Sequence, residues 1–250
     1  MADNKVLAVI PARGGSKRIP HKNIKDFLGK PLIAYSIENC LKSGICDEVI
    51  VSTDDPEIAA VAKEYGAKVP FMRAPELSND FAGTGIVSLD AYRQMTKLGG
   101  SYDTVCTVYA TAPLLTPEHL KAAYEQFKAA HADYLFACCE FPFPVQRGFY
   151  QDDNGAPVAI MPECQMMRSQ DLPRAFQDAG QFYFQKPQLL EAIHGAVLDG
   201  TTTKTNTDAS KSAICRMYEM PRYRVIDIDT PEDWEYALIL AEAIKKLSKL

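Results

Sequence analysis

Between residues 13 and 25 the chain carries Arg13, Lys17, Arg18, Lys22 and Lys25, with His21 among them and no acid. The whole protein has a formal net charge of −5, so this concentration of cations is local. Gly14-Gly15 lets the backbone bend tightly and turn amide N–H groups toward a ligand. Basic side chains beside such a bend suit a polyanion, most simply a triphosphate. The stretch is not a Walker A loop, because no Gly-Lys-Ser/Thr opens a helix after it, and the Gly-x-Gly-x-x-Gly dinucleotide fingerprint is absent. The plain alternative is a solvated basic loop around a structural Gly-Gly turn. Position favours binding: the loop follows Lys5-Val6-Leu7-Ala8-Val9-Ile10, an apolar run that reads as a buried strand, and ligands of α/β sheets gather beyond the carboxyl ends of strands.

A second constellation lies near the other end. Arg224 to Ile228 reads as a last strand, closed by Asp227-Ile228-Asp229. A period of two puts Asp227 and Asp229 on one side and Ile228 in the core. Two carboxylates there can hold Mg²⁺, with water and phosphate oxygens as its other ligands. The competing reading is that Asp229 simply favours the positive end of the helix that Thr230-Pro231-Glu232-Asp233 begins. A triphosphate loop in the same chain favours the metal. Asp54-Asp55 is a rival pair, but with Pro56 behind it the helix-cap reading fits better.

The elements that must position these groups alternate. Helices are expected over about 33–41, from Pro56 to Gly66, over 86–98, from Thr116-Pro117 to about His131, near 187–194 and from Pro231 to about Leu247. Strands are expected at 48–53, 68–72, 104–109, 134–139 and 213–218 as well. The pattern predicts an α/β fold, three layers around a mainly parallel sheet. From Phe141 to about Gln185 the rhythm breaks around Phe141-Pro142-Phe143-Pro144, and Asp152-Asp153-Asn154-Gly155 reads as a hairpin turn. This aromatic and Met-rich segment, 141–185, is read as an insertion in a single domain of 1–250: a lid, a subunit interface or an extension of the core.

Hydrophobic residues make up 47% and charged residues 24% of the chain, the balance of an ordinary globular protein. The net negative charge excludes a general attraction to nucleic acid or to an anionic membrane surface. No signal-peptide pattern precedes the first strand, and no apolar run is long enough to span a bilayer. The seven cysteines include no C-x-x-C and sit mostly in apolar segments. They read as reduced core residues of a cytoplasmic protein, and the four scattered histidines offer no metal-ligand spacing.

Arg13-Gly14-Gly15-Ser16-Lys17, Pro20, Lys22-Asn23 and Asp227-Ile228-Asp229 together resemble the cytidylyltransferases that activate nine-carbon acidic sugars, the CMP-sialate synthetase group. The likeness covers nearly the whole chain. Tyr109-Ala110-Thr111-Ala112-Pro113, Phe141 to Arg147, Arg168 to Pro173 and Asp178 to Tyr183 point to one branch of that group. Members acting on sialic acid usually carry Gln-Pro where this chain has Tyr109-Ala110, which argues against sialic acid itself.

The resemblance implies a Rossmann-like nucleotidyltransferase fold, CTP as donor, a Mg²⁺ requirement and a homodimer built with the inserted segment. By position it implies that Arg13, Gly14, Gly15, Ser16 and Lys17 meet the CTP phosphates, with Lys17 nearest the reacting centre. Lys22 and Asn23 would fix the nucleotide, and Arg73 would lie against the triphosphate or cytidine. Asp227 and Asp229 would hold the metal, and Tyr109, Gln146, Arg147, Arg168 and Gln181 would face the sugar. The implied reaction is attack by the sugar's anomeric hydroxyl on the α-phosphorus of CTP, releasing pyrophosphate. Sialic, legionaminic or ketodeoxyoctonic acid as acceptor remains an alternative, and so does a non-catalytic nucleotide-binding protein.

Overall fold

The computed structural model describes residues 4–247. A six-stranded central sheet has the order β10 (Cys215–Glu219), β6 (Tyr134–Glu140), β9 (Phe176–Gln185), β5 (Thr104–Val108), β1 (Val6–Pro11) and β4 (Glu48–Ser52). β1 pairs in parallel with β4 and β5, and β10 with β6, while β9 runs antiparallel between β5 and β6. The sheet is therefore mainly parallel.

β1 shows why its sequence is apolar throughout. Val6, Ala8 and Ile10 face a core shared with α1 (Leu32–Ser43), α2 (Pro56–Glu64) and α4 (Pro117–Ala129), whereas Leu7 and Val9 face α3 (Thr84–Lys97) and α5 (Pro187–Leu198). A strand covered on both faces has no polar side to show. The result is the three-layer α/β arrangement. β2 (Asp26–Phe27) and β3 (Lys30–Pro31) make a small hairpin, and Phe27 packs edge-on against Trp234 of α6 (Pro231–Leu247) in a third cluster.

Helix starts follow the local chemistry. Asp55 accepts N–H bonds from Glu57 and Ile58 ahead of Pro56, and Thr116 caps α4 ahead of Pro117. Gly44 stops α1 at φ 68°, a left-handed conformation that favours glycine.

Two expected strands are absent. Lys68 makes only an isolated bridge to Ile50, and Pro70, without an N–H, cannot extend the ladder. Residues 224–228 form no strand either; the last one is β10. After Met220 bonds to the Cys138 carbonyl at 2.8 Å, Pro221 takes the chain off the sheet edge. The alternation nevertheless holds, with Ile226 and Ile228 buried, Asp227 exposed and Asp229 half-buried.

The segment 141–185 divides in two. β7 (Phe149–Gln151) and β8 (Pro157–Ala159) form a separate hairpin closed at Asp152–Ala156, whereas β9 is a central strand. Phe182 and Phe184 are fully buried on β9. All seven cysteines are free, and Cys40, Cys106, Cys138 and Cys139 are buried. Among the described residues no helix is long and apolar enough to cross a membrane.

Candidate active site

Chain leaves β1 toward β4 and leaves β5 toward β6, so the carboxyl ends of neighbouring β1 and β5 open a crevice between diverging connections. A cavity of about 390 Å³ lies there. Arg13, Ser16, Lys17, Lys22 and Asn23 come to it from the loop after β1, Arg73 from beyond β4, and Tyr109 from the end of β5. Lys25 turns away, its ammonium 4.6 Å from the centre of the Trp234 ring.

The loop is held by its own polar groups. Gly14 N–H donates to Asp54 (3.0 Å), Ser16 N–H to the Gly14 carbonyl (2.8 Å), and the Asn23 side-chain amide to the Arg13 carbonyl (3.0 Å). A Cβ on Gly14 would stand 2.4 Å from an Asp55 carboxylate oxygen, so only glycine lets the loop approach the start of α2 this closely. Gly15 is exposed and its Cβ position is open.

Arg13, Lys17, Arg18 and Lys22 are each answered by an acid. Asp80 bridges Arg13 (2.7 Å) and Lys17 (2.6 Å). Those two donors hold the Asp80 carboxyl below its usual range, Lys17 contributing most. Asp229 bridges Arg18 (2.7 Å) and Lys22 (3.3 Å), and Lys22 also donates to the Ile228 carbonyl at 2.6 Å. That bond fastens 226–229 to the loop in place of a strand ladder. Arg73 differs. Its side chain is 4% exposed, its nearest acid is Asp54 at 3.6 Å, and Nε and Nη2 are buried without hydrogen-bond partners. Burial pulls its pKa down, with Asp54 opposing.

Of the residues expected to face the sugar, Tyr109 alone lines this cavity. Gln146 is buried and donates to the Pro173 carbonyl (2.8 Å), and Gln181 donates to the Arg224 carbonyl (2.5 Å). Arg147 reaches Ser169 at 3.4 Å and Arg168 pairs with Asp171 at 2.7 Å, both exposed on the segment before β9. The structure thus gathers the basic loop, Arg73, Tyr109 and Asp229, and leaves these four apart from them within one chain.

The sequence assigns Asp80 no role and sets Asp54 aside as half of a carboxylate pair better read as a helix cap. Asp80 sits in a polar loop, and its meeting with Arg13 and Lys17 is set only by tertiary folding. A signal existed for Asp54: once Asp55 is assigned to the cap, its neighbour has no local task.

A model of the family described as Cytidylyltransferase matches residues 7–213. The chain belongs to the cytidylyltransferase family. It is 47% identical over 237 residues to the pseudaminic acid cytidylyltransferase of Campylobacter jejuni, covering 94% of this chain and 96% of that protein. It is 31% identical to the CMP-N,N'-diacetyllegionaminic acid synthase of Legionella pneumophila, covering 92% and 93%. Its fold is similar to that of a CMP:2-keto-3-deoxy-manno-octonic acid synthetase solved with CTP, with a TM-score of 0.69 at 18% identity over 96% of this chain and 99% of that one.

The acidic pair of this cytidylyltransferase fits a shared ion better than a resident one. Among the described residues no group of three His, Cys, Asp or Glu is placed to hold a metal. The Asp227 carboxylate has no hydrogen-bond or ion-pair partner, and its pKa is raised by desolvation first and by Asp229 second. Crowded carboxylates of this kind are relieved by a cation whose other ligands are water and phosphate oxygens.

Proposed function

We propose that this enzyme transfers CMP from CTP to pseudaminic acid, releasing pyrophosphate. The observation that carries the reading is the 47% identity along 94% of the chain to a pseudaminic acid cytidylyltransferase, joined to a cavity whose cations suit a triphosphate. The acceptor's anomeric hydroxyl gives up its proton to solvent as its oxygen bonds to the α-phosphorus, the bond from that phosphorus to the bridging oxygen breaks, and pyrophosphate leaves with the electron pair. Catalysis is mainly positioning and charge neutralisation.

In this reading Arg13 and Lys17 exchange Asp80 for phosphate oxygens, so the acid holds the loop in shape until nucleotide arrives. Lys17, with its side chain 78% exposed, swings onto charge developing at the reacting phosphate. Arg73 lines the cavity wall and presents its positive charge to the nucleotide from there. Asp227 and Asp229 would hold Mg²⁺, which would offset charge on the triphosphate. Tyr109 meets the acceptor.

The deciding measurement is pyrophosphate release from CTP and Mg²⁺, with pseudaminic and N-acetylneuraminic acids supplied in parallel. Release with pseudaminic acid alone is expected. Release with N-acetylneuraminic acid would keep the chemistry and overturn the acceptor, and release with neither would overturn the reading.

The same proposal includes a homodimer. Phe143 and Met166 are 79% and 96% exposed, and Phe149, Tyr150, Met161 and Met167 are exposed beside them in sequence. So much apolar surface on one segment is the composition of a subunit contact. Light scattering is expected to give twice the 27.7 kDa chain mass; a monomer at working concentration would exclude the dimer.

A further inference from the structure

One carboxylate stands where a triphosphate is expected. Asp80 lines the cavity with Arg13, Ser16 and Lys17. Each of its oxygens accepts from a different cation, Oδ1 from Arg13 Nη1 at 2.7 Å and Oδ2 from Lys17 Nζ at 2.6 Å. Phosphate offers the same donors the same thing, anionic oxygens that accept from two cations at once. Asp80 stays ionised in this role, because Lys17 and Arg13 hold its carboxyl below the usual range.

The contact is built to come apart. The side chains of Asp80, Arg13 and Lys17 are 45%, 37% and 78% exposed, and ion pairs so open to water hold weakly. Among the described residues the Asp80 carboxylate accepts no hydrogen bond besides those two. The turn that carries it keeps its own shape. The Asn79 side-chain oxygen accepts from Phe81 and Ala82 N–H at 2.8 and 2.9 Å, and its amide donates to the Glu76 carbonyl at 2.8 Å. Ser78 Oγ donates to the Ala74 carbonyl at 3.0 Å. Phe81 is 96% exposed, so almost no packing ties the tip of the turn to the body. Asp80 can therefore release both cations by rotating its side chain, without unmaking any backbone bond.

The basic loop has other ties, from Gly14 to Asp54, from Asn23 to the Arg13 carbonyl and from Lys22 to the Ile228 carbonyl. Shaping it is not the whole task of Asp80. Resting on the CTP-transfer reading above, we infer that Asp80 is an intramolecular competitor of the triphosphate, an autoinhibitory contact that a ligand must displace to reach Arg13 and Lys17 and that retakes both cations when pyrophosphate leaves. Only the released fraction of the protein binds such a ligand, so the contact weakens every ligand that needs the two cations by one common factor. A ligand that does not need them is untouched. The same factor that weakens CTP weakens pyrophosphate, which keeps the product from being trapped on the two cations after transfer.

The test uses the full-length enzyme, its Asp80→Asn variant, and both forms in an Arg13→Met, Lys17→Met background. Dissociation constants are measured for CTP and inorganic tripolyphosphate by calorimetry and for cytidine by NMR titration, and pyrophosphate is assayed as a product inhibitor. Asp80→Asn is expected to bind CTP and tripolyphosphate about three- to tenfold more tightly, the scale of two exposed ion pairs, with the inhibition constant of pyrophosphate falling by the same factor. Cytidine is expected to bind within about twofold of wild type. In the background without the two cations Asp80→Asn is expected to change CTP binding by less than about twofold, because coupling vanishes when the partner is gone. A cooperative melt reports that each variant is folded. Unchanged or weaker CTP binding by Asp80→Asn, a gain that cytidine shares, or a gain that persists in that background would overturn the competitor and leave the reaction intact. Failure of the wild type to bind CTP would overturn the reading of the site, and this inference with it.

Discussion

Asp227→Asn is expected to lower kcat/KM for pyrophosphate release by about 10²–10³, the size of loss seen when one preorganised electrostatic group is removed from a reacting centre, and to leave the ligand-free fold at least as stable as wild type. The two halves of this result have one cause. Asp227 keeps access to solvent, but its carboxylate has no hydrogen-bond or ion-pair partner among the described residues, and partial desolvation and Asp229 raise its pKa above 3.8 against the weaker pull of Lys22 and Arg18. A raised pKa means that the folded chain resists ionisation more than the unfolded chain does. Stability therefore falls as pH rises from the unfolded value through the folded one, and the whole penalty remains at neutral pH. Asparagine removes the penalty together with the carboxylate that, in the proposed function, would hold the metal.

The wild-type protein is also expected to need more Mg²⁺ as pH is lowered through that raised pKa, because the protonated acid cannot ligate. Asp229 is a less clean probe, since its loss also frees Arg18 and Lys22. Steady-state rates at graded Mg²⁺ and pH, with thermal melts of the ligand-free variant, check the prediction. A variant that turns over CTP at the wild-type rate, or that loses stability, would sink it.

What could be read from the chain in advance was local. The caps at Asp55-Pro56 and Thr116-Pro117, the stop at Gly44 and the bend at Gly14-Gly15 are each decided within a few residues. They appear where the residue types put them. The alternation around Ile228 was equally legible, but it reports one-sided burial of an extended chain and not a ladder. Residues 226–229 are held instead by Lys22, more than two hundred positions away in sequence. Asp80 against Lys17 and Asp178 against Tyr183 were hidden for related reasons. The first contact is made by tertiary folding, and the second needs a bulge whose length only the pairing of β6 with β9 defines. Four of the five residues expected at the sugar illustrate the same limit: identity by position does not say whether a side chain reaches its own cavity.

Arg73→Met is expected to weaken CTP binding by about 30- to 1,000-fold, the loss of roughly 2–4 kcal/mol that follows removal of a buried charged donor from a bound anion, and to leave the ligand-free protein no less stable. Arg73 carries a charge into the cavity wall that the protein answers poorly. Its nearest acid, Asp54 at 3.6 Å, is too distant for a good hydrogen bond, two of its nitrogens make no hydrogen bond, and its pKa is lowered chiefly by burial. Guanidinium does not discharge at working pH, so the fold bears the cost of desolvating it, as with other incompletely paired buried ions. The local backbone does not depend on that side chain, because Arg73 N–H is anchored to the Thr53 carbonyl at 2.8 Å. Methionine fills comparable volume without charge and so separates electrostatics from packing, which alanine would confuse by leaving a void. Calorimetric titration with CTP and melting without it give the two readouts. Unchanged affinity with lost stability would make Arg73 a structural residue. Lost affinity with retained or increased stability would mark it, like Asp227, as a group kept in an unfavourable place for the anion or cation that completes it.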